Sequence, residues 1–204
     1  MSAPADELKA KLRRTPLDPP EIRSLLDGMS HAERVTATRG LDRTDQRRLY
    51  EGVERFLPLT LADLVGPDVA CLTEVRHHGK NTLPAFTHFE KRFCRPEGED
   101  PSKPEALWGY NHQTMAAVTG PGYFVARQAP DRPEILVDYN RVPSTELARP
   151  PGWPQIRPNE RGLSRFVYGF MIDTLRRVSE HVTIGSAARK GRDMGSWFVL
   201  VRED

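Results

Sequence analysis

The sequence predicts an α+β protein: a helical N-terminal segment, about residues 1–65, packed on a mainly antiparallel β-sheet, about residues 66–204. Three observations carry this. Helix-start signals and apolar residues at helical spacing gather in the first third of the chain. After Gly66 the texture changes to short alternating or apolar runs separated by Gly, Pro, Asn and Asp, the pattern of strands and turns. A chain of 204 residues suits one domain, with or without a small appendage, and can bury a core without disulfides or metals.

The helical segment is read from caps and stripes. In "SHAE", residues 30–33, the Ser30 side chain can bond the Glu33 amide while the Glu33 carboxylate reaches back, a capping box. Leu25, Leu26 and Met29 make one apolar stripe. Leu49, Val53 and Phe56 recur at i, i+4 and i+7 and make another, with Thr44 as the expected N-cap. Pro16, Pro19 and Pro20 separate the first two helices. "LTLAD", 59–63, starts one more short turn capped by Thr60.

Strands are expected over 70–78, 83–94, 106–112, 123–128 and 134–142. "CRPEGEDPSKPE", 94–105, is a polar loop. The proline-rich stretch 142–162 reads as an extended segment lying on the surface, with Trp153 as its anchor. "HVTIGSAAR" and "SWFVLVRED" are β-branched and aromatic enough to be strands, joined by a hairpin turn at "ARKGR", 188–192. Between them and the proline-rich stretch lies an ambiguous run. Leu163, Phe166, Val167, Phe170, Met171, Thr174, Leu175 and Val178 fit a helical stripe, and a bent strand broken at Gly169 competes with it.

The closing pattern, "FMIDTLRRVSEHVTIGSAARKGRDMGSWFVLVRED" (170–204), resembles the last meander of calycin-type barrels, the plastid lipid-associated fibrillins and the bacterial GXWXG-domain proteins. The matching positions are Asp173, Arg176, Gly185, Arg189, Gly191, Trp197, Phe198 and Arg202. The likeness spans about 35 of the 204 residues, and the G-x-W-x-G signature is absent: "ALWGYN", 106–111, has the wrong spacing. The resemblance implies a small, lipocalin-like β-barrel with an interior for an amphipathic ligand. It also implies a strand at 170–178, which Gly169 and Asp173 favour because each weakens a helix interior.

Composition narrows the partners. Thirty basic and 28 acidic side chains are interleaved to a net charge of +2, so the concentrated positive field of a nucleic-acid binder is missing. No apolar leader region opens the chain and no window reaches the ~18 apolar residues of a spanning helix, which gives a cytoplasmic location without a membrane span as the expectation. A hairpin turning at Gly79 would keep Cys71 from Cys94, so two free thiols in a reducing compartment are expected.

Candidate site residues fall on three stretches. In "EVRHHGKNTLP", strand alternation sends His77 and His78 to opposite faces. Gly79 and Asn81 favour a hairpin tip there; the functional alternative sets His78, Lys80 and Asn81 at a barrel mouth, facing a carboxylate or carbonyl head group. In "LWGYNH", Trp108, Tyr110 and His112 share one strand face, continued by Tyr123, and make either a core or a pocket wall. Asp138, Arg92 and Arg176 are charges on otherwise apolar faces, expected to pair inside the barrel or to face a wet cavity. No H-E-x-x-H, C-x-x-C, P-loop, dinucleotide or nucleophile-elbow motif occurs, so no metal, cofactor or nucleophile is assigned. Three function classes follow: a binding protein for a small amphipathic or hydrophobic molecule; a cofactor-independent isomerase, cyclase or hydrolase using His112 and Asp138; and an interaction module docking a partner through residues 1–65.

Overall fold

A computed structural model describes residues 4–113, 120–157, 159 and 168–204. Five helices, α1 (Pro4–Leu12), α2 (Pro19–Asp27), α3 (His31–Arg39), α4 (Arg43–Gly52) and α5 (Leu61–Leu64), precede eight strands. These are β1 (Val75–Asn81), β2 (His88–Cys94), β3 (Ala106–His112), β4 (Tyr123–Gln128), β5 (Ile135–Asp138), β6 (Met171–Arg177), β7 (Val182–Arg189) and β8 (Arg192–Arg202). Every neighbouring pair is antiparallel, in sequence order, and β8 closes on β1, so the sheet is a closed barrel without free edges.

The helix signals hold with two corrections, the first being that α4 ends at Gly52, so Val53 caps it and Phe56 lies in the turn beyond. Ser30 and Glu33 form the capping box of α3. The cap of α4 is Asp42, boxed with Asp45; the helix begins at Arg43, which leaves Thr44 inside its first turn. Asp18 caps α2, whose first positions are Pro19 and Pro20, where a missing N–H is harmless. The backbone N–H and hydroxyl of Thr60 both donate to the Asp63 carboxylate at the start of α5.

The barrel wall is buried on both faces over much of its circumference. Leu8, Leu12, Ile22, Leu26 and Leu49 of the helical layer pack on the outward Val182, Ile184, Val199 and Val201 of β7 and β8. Trp153, buried as the anchor of the proline-rich segment, covers the outward Cys94, Trp108, Tyr110 and Tyr123 of β2–β4. Inside, Phe93, Leu107, Phe124, Ile135, Val137, Leu175 and Leu200 form the main core, and Leu59, Leu61, Leu64 and Val65 around α5 belong to it as well.

Two expectations are revised and one pair of alternatives is decided. Gly79 lies within β1, opposite Phe89, and the β1–β2 connection runs through 82–87, so "HHGKN" is strand and not a hairpin tip. In the ambiguous run, Met171–Arg177 is the strand β6, as the likeness to calycin-type chains implied, and the helical alternative is not adopted there; Leu163, Phe166 and Val167 lie outside the described residues. The fifth expected strand, 134–142, is only Ile135–Asp138. The turn at Lys190 and Gly191 is where it was expected, both residues at positive φ (51° and 74°) as a primed hairpin turn requires. Cys71 is exposed, Cys94 buried, and both are free.

Candidate ligand-binding site in the barrel interior

Alternation along the strands decides which side chains enter the barrel. On β2 the inward set is Phe89, Lys91 and Phe93; on β6 it is Met171, Asp173 and Leu175; Asn111 comes from β3 and Tyr139 follows β5. Lys91 and Asp173 are 1% and 2% exposed, an ammonium and a carboxylate in an otherwise apolar interior. Such charges are held only if paired and hydrogen-bonded.

They are. Lys91 Nζ donates to Asp173 Oδ2 at 3.1 Å, to Asn111 Oδ1 at 3.2 Å and to the Tyr139 hydroxyl, which uses all three of its protons. The Tyr139 hydroxyl in turn donates to Asp173 Oδ2 (3.2 Å) and accepts from Asn111 Nδ2 (2.9 Å). Asp173 Oδ1 is buried with no hydrogen-bond partner among the described residues. Burial presses the Lys91 amine below its ordinary range and Asp173 opposes that; burial presses the Asp173 carboxyl upward and Lys91 opposes that. The ammonium–carboxylate and amine–carboxylic acid forms therefore lie closer in free energy than they do in water. Burial and the Asp173 charge hold the Tyr139 phenol protonated, well above its usual value.

An aromatic box surrounds the lysine. Its Nζ lies 4.9 Å from the ring centroids of Tyr139 and Phe198, 5.0 Å from that of Phe124 and 5.8 Å from that of Phe89. Three of these rings rest on strand glycines directly across the ladder: Phe89 on Gly79, Phe124 on Gly109 and Phe198 on Gly185. A Cβ at those glycines would come within 2.3–2.7 Å of the ring atoms, so the missing side chains are what let the rings lie flat against the wall. Glycine in these strands serves close approach.

Beside this cluster is a cavity of about 380 Å³ at the end of the barrel opposite α5. At roughly 30 Å³ per water it has room for about a dozen. Phe89, Met171, Met194 and Phe198 supply its apolar lining; Lys91, Asn111, Tyr139 and Asp173 supply polar groups, and Asn81, Gln113 and Arg189 also line it. Tyr168 stacks on Tyr139 at 5.4 Å.

Of the residues singled out from sequence, His77 and Asn81 face inward. His77 lies at the α5 end, with Nε2 3.0 Å from the Leu64 carbonyl oxygen and its pKa lowered by burial to about 3, so it is neutral. Asn81 lines the cavity. The others occupy the outer face. His78 meets Glu203 (3.2 Å) and the His31 ring, and Lys80 donates to the Arg39 carbonyl at 2.6 Å. Arg92 binds Glu74 and Glu90 and touches the Tyr110 hydroxyl; Trp108, Tyr110 and Tyr123 lie under the Trp153 segment. His112 is exposed, edge-on to Tyr110. Asp138 accepts from Asn140, with Arg127 and Arg141 nearby, and Arg176 pairs with Glu134 at 2.7 Å over the Tyr50 ring. The charges expected to pair inside the barrel thus pair outside it, and His112 with Asp138 forms no acid–base couple in the cavity. No cluster of three or more His, Cys, Asp or Glu side chains able to hold a metal ion occurs among the described residues.

The interior residues that sequence reading missed have a signal of their own. Phe89 and Phe93 flank Lys91 at i±2, and Met171 and Leu175 flank Asp173 in the same way. A lone charge between two large apolar residues of a strand was thus present at Lys91 and Asp173 as well, alongside Arg92 and Asp138, which turn out to face outward.

Fold and cavity together define a closed, eight-stranded antiparallel barrel with a polar cluster beside a cavity that opens to solvent, an architecture compatible with a calycin-like fold. Compared with protein-family models, curated proteins and solved structures, the chain matches none. No helix of the described residues is long and apolar enough to cross a membrane.

Proposed function

We propose that this protein binds a small amphipathic molecule inside the barrel. The observation that carries the reading is the cavity of about 380 Å³ beside a paired lysine and aspartate in an aromatic box. Small-molecule sites are apolar hollows with a few convergent polar groups, and this cavity has that composition. The ligand's apolar body lies against Phe89, Met171 and Phe198, and its head points at Asn111, Tyr139 and Lys91. The likeness of residues 170–204 to calycin-type chains is a second support. Native mass spectrometry on gently purified protein tests it. A bound mass, or uptake of a neutral medium-chain alcohol lost on Phe198→Trp, is the expected result. A clean apo mass with no uptake of alcohols, fatty acids, haem or flavin refutes it.

A second reading, a cofactor-independent enzyme, is favoured by one observation: Lys91, Tyr139 and Asp173 are within proton-transfer reach of one another at the cavity. Tyr139→Phe distinguishes the two. An enzyme loses turnover with ligand affinity unchanged; a binding protein loses affinity alone.

A further inference from the structure

We infer that the molecule held in the cavity carries a neutral carbonyl group, and that Lys91 holds it as a reversible iminium with Asp173 as counter-ion. This rests on the binding reading above and names its ligand class.

The first step is charge balance. Among the described residues that line the cavity, Lys91 and Asp173 are the fully buried charges, and they pair with each other and cancel. A carboxylate head entering there would face Asp173, and an ammonium head would face Lys91, each desolvated beside a like charge. Arg189 lines the cavity from β7, against the Met171 sulfur. The inner head must be neutral.

The second step is what a neutral head gains from this particular amine. Condensing an ammonium with an aldehyde gives an iminium and water, so the single positive charge stays on the same nitrogen. The charge-based contacts of the ammonium therefore also hold the product, the carboxylate at 3.1 Å and the four ring faces within 5.8 Å, while the lysine's bonds to Asn111 and Tyr139 are given up with the two protons that leave. The chemistry closes within the cluster. Asp173 takes one proton from Lys91. The free amine lone pair forms the C–N bond, and the carbonyl π pair moves to oxygen, which receives a second nitrogen proton through the Tyr139 hydroxyl. The proton on Asp173 then passes to the carbinolamine hydroxyl, the C–O bond breaks, water leaves and the nitrogen lone pair closes the C=N bond. The remaining N–H points at the restored Asp173 carboxylate. Asn111 Oδ1, no longer used by the lysine, is left to accept from the departing water.

The test uses cinnamaldehyde as the probe and cinnamyl alcohol as its non-condensing counterpart. Wild-type protein is incubated with the aldehyde, reduced with cyanoborohydride, and mapped by peptide mass spectrometry. Label concentrated on Lys91, saturable and blocked by cinnamyl alcohol, is expected, in contrast to the other lysines, Lys9, Lys11, Lys80, Lys103 and Lys190. Before reduction, a red-shifted absorption band of the protonated conjugated iminium should form. In Asp173→Asn that band should be lost at neutral pH, because the iminium proton has no counter-ion. Label confined to the other lysines while cinnamyl alcohol still binds overturns this inference and leaves the cavity reading standing. Failure of the alcohol to bind as well overturns both. The wild-type map decides the question even if the Asp173 variant does not fold.

Discussion

Replacing Lys91 with Met removes the one ion-pair partner that the buried Asp173 carboxylate has among the described residues. Asp173 keeps the Tyr139 hydroxyl as donor, and its second oxygen has no partner among the described residues. Breaking a buried pair on one side costs about 3–5 kcal/mol, because the remaining charge stays in low dielectric. For a chain of this size each kcal/mol moves the melting temperature by about 2–4 °C, so Lys91→Met should melt roughly 6–20 °C lower. Replacing both partners, Lys91→Met with Asp173→Leu, removes both desolvation penalties and should lie within about 1 kcal/mol of wild type or above it. Urea unfolding of the four proteins of the cycle gives the coupling directly.

The pH dependence supplies an internal check. In Lys91→Met the folded-state pKa of Asp173 is raised further above its unfolded value. The folded state then binds more protons than the unfolded state between those two values, so stability falls as pH rises through that window. The penalty is complete above the folded pKa and shrinks as acid neutralises the carboxyl. Taking the difference from wild type cancels other titrating groups. A single-variant loss under about 1 kcal/mol, unchanged between neutral pH and pH 4, would show that water from the cavity solvates the pair and that its surroundings are not of low dielectric.

Further outcomes are expected elsewhere in the fold. His77 has a folded pKa of about 3 against 6.5 unfolded, so the unfolded state binds the extra proton; stability is complete above 6.5 and is withdrawn as pH falls toward 3. At ~1.4 kcal/mol per pH unit this is on the order of 5 kcal/mol, and His77→Gln should flatten that acid limb in urea titrations. Gly109→Ala puts a Cβ 2.3 Å from the Phe124 ring and 2.6 Å from the Arg92 carbonyl, and should lose about 1–3 kcal/mol or more and empty the aromatic box, read by thermal melting. Trp153→Ala removes a buried ring and its 2.8 Å bond to Glu74; a loss of about 3–5 kcal/mol and new proteolytic cuts within 142–157 are expected. Deleting residues 1–58 exposes Val182, Ile184, Val199 and Val201 and should abolish folding, as judged by near-ultraviolet circular dichroism.

Strands and helices were legible in the sequence because caps and turns are local. Ser30–Glu33, Pro19–Pro20 and Lys190–Gly191 each act within four residues, and the structure uses all of them. Faces were not legible, and the reason is tertiary. A strand with one wet side reveals its inward face by alternation. β2–β4 are covered outside by Trp153 and its segment, and β7–β8 by the helices, so Trp108 and Tyr110 are as buried as Leu107 and Phe124. A charge then marks neither face: Arg92 and Lys91 are adjacent, both paired, and only the closed barrel separates them. Gly79 misled for a related reason. Its turn-like neighbours His78, Lys80 and Asn81 hid a cross-strand partner, Phe89, that no local pattern specifies.

The Lys91 cluster could be explained by stability alone, since its donors are satisfied, but two features count against that. An apolar replacement of such a pair is neutral or favourable, so stability gives no reason to retain it. The pair also stands beside a cavity of about 380 Å³ that opens at the end of the barrel, so its charges are reachable from solvent by a small molecule. A charge pair that stability does not require, reached through an open cavity, fits the binding proposed above. The double replacement of Lys91 and Asp173 separates the two explanations. If the cluster serves function, that variant keeps the fold and the cavity's uptake of neutral alcohols through the apolar wall, and loses discrimination between a carbonyl head and a hydroxyl head. Equal loss of both ligands, in a variant as stable as wild type, would assign the cluster to the shape of the cavity instead of its chemistry.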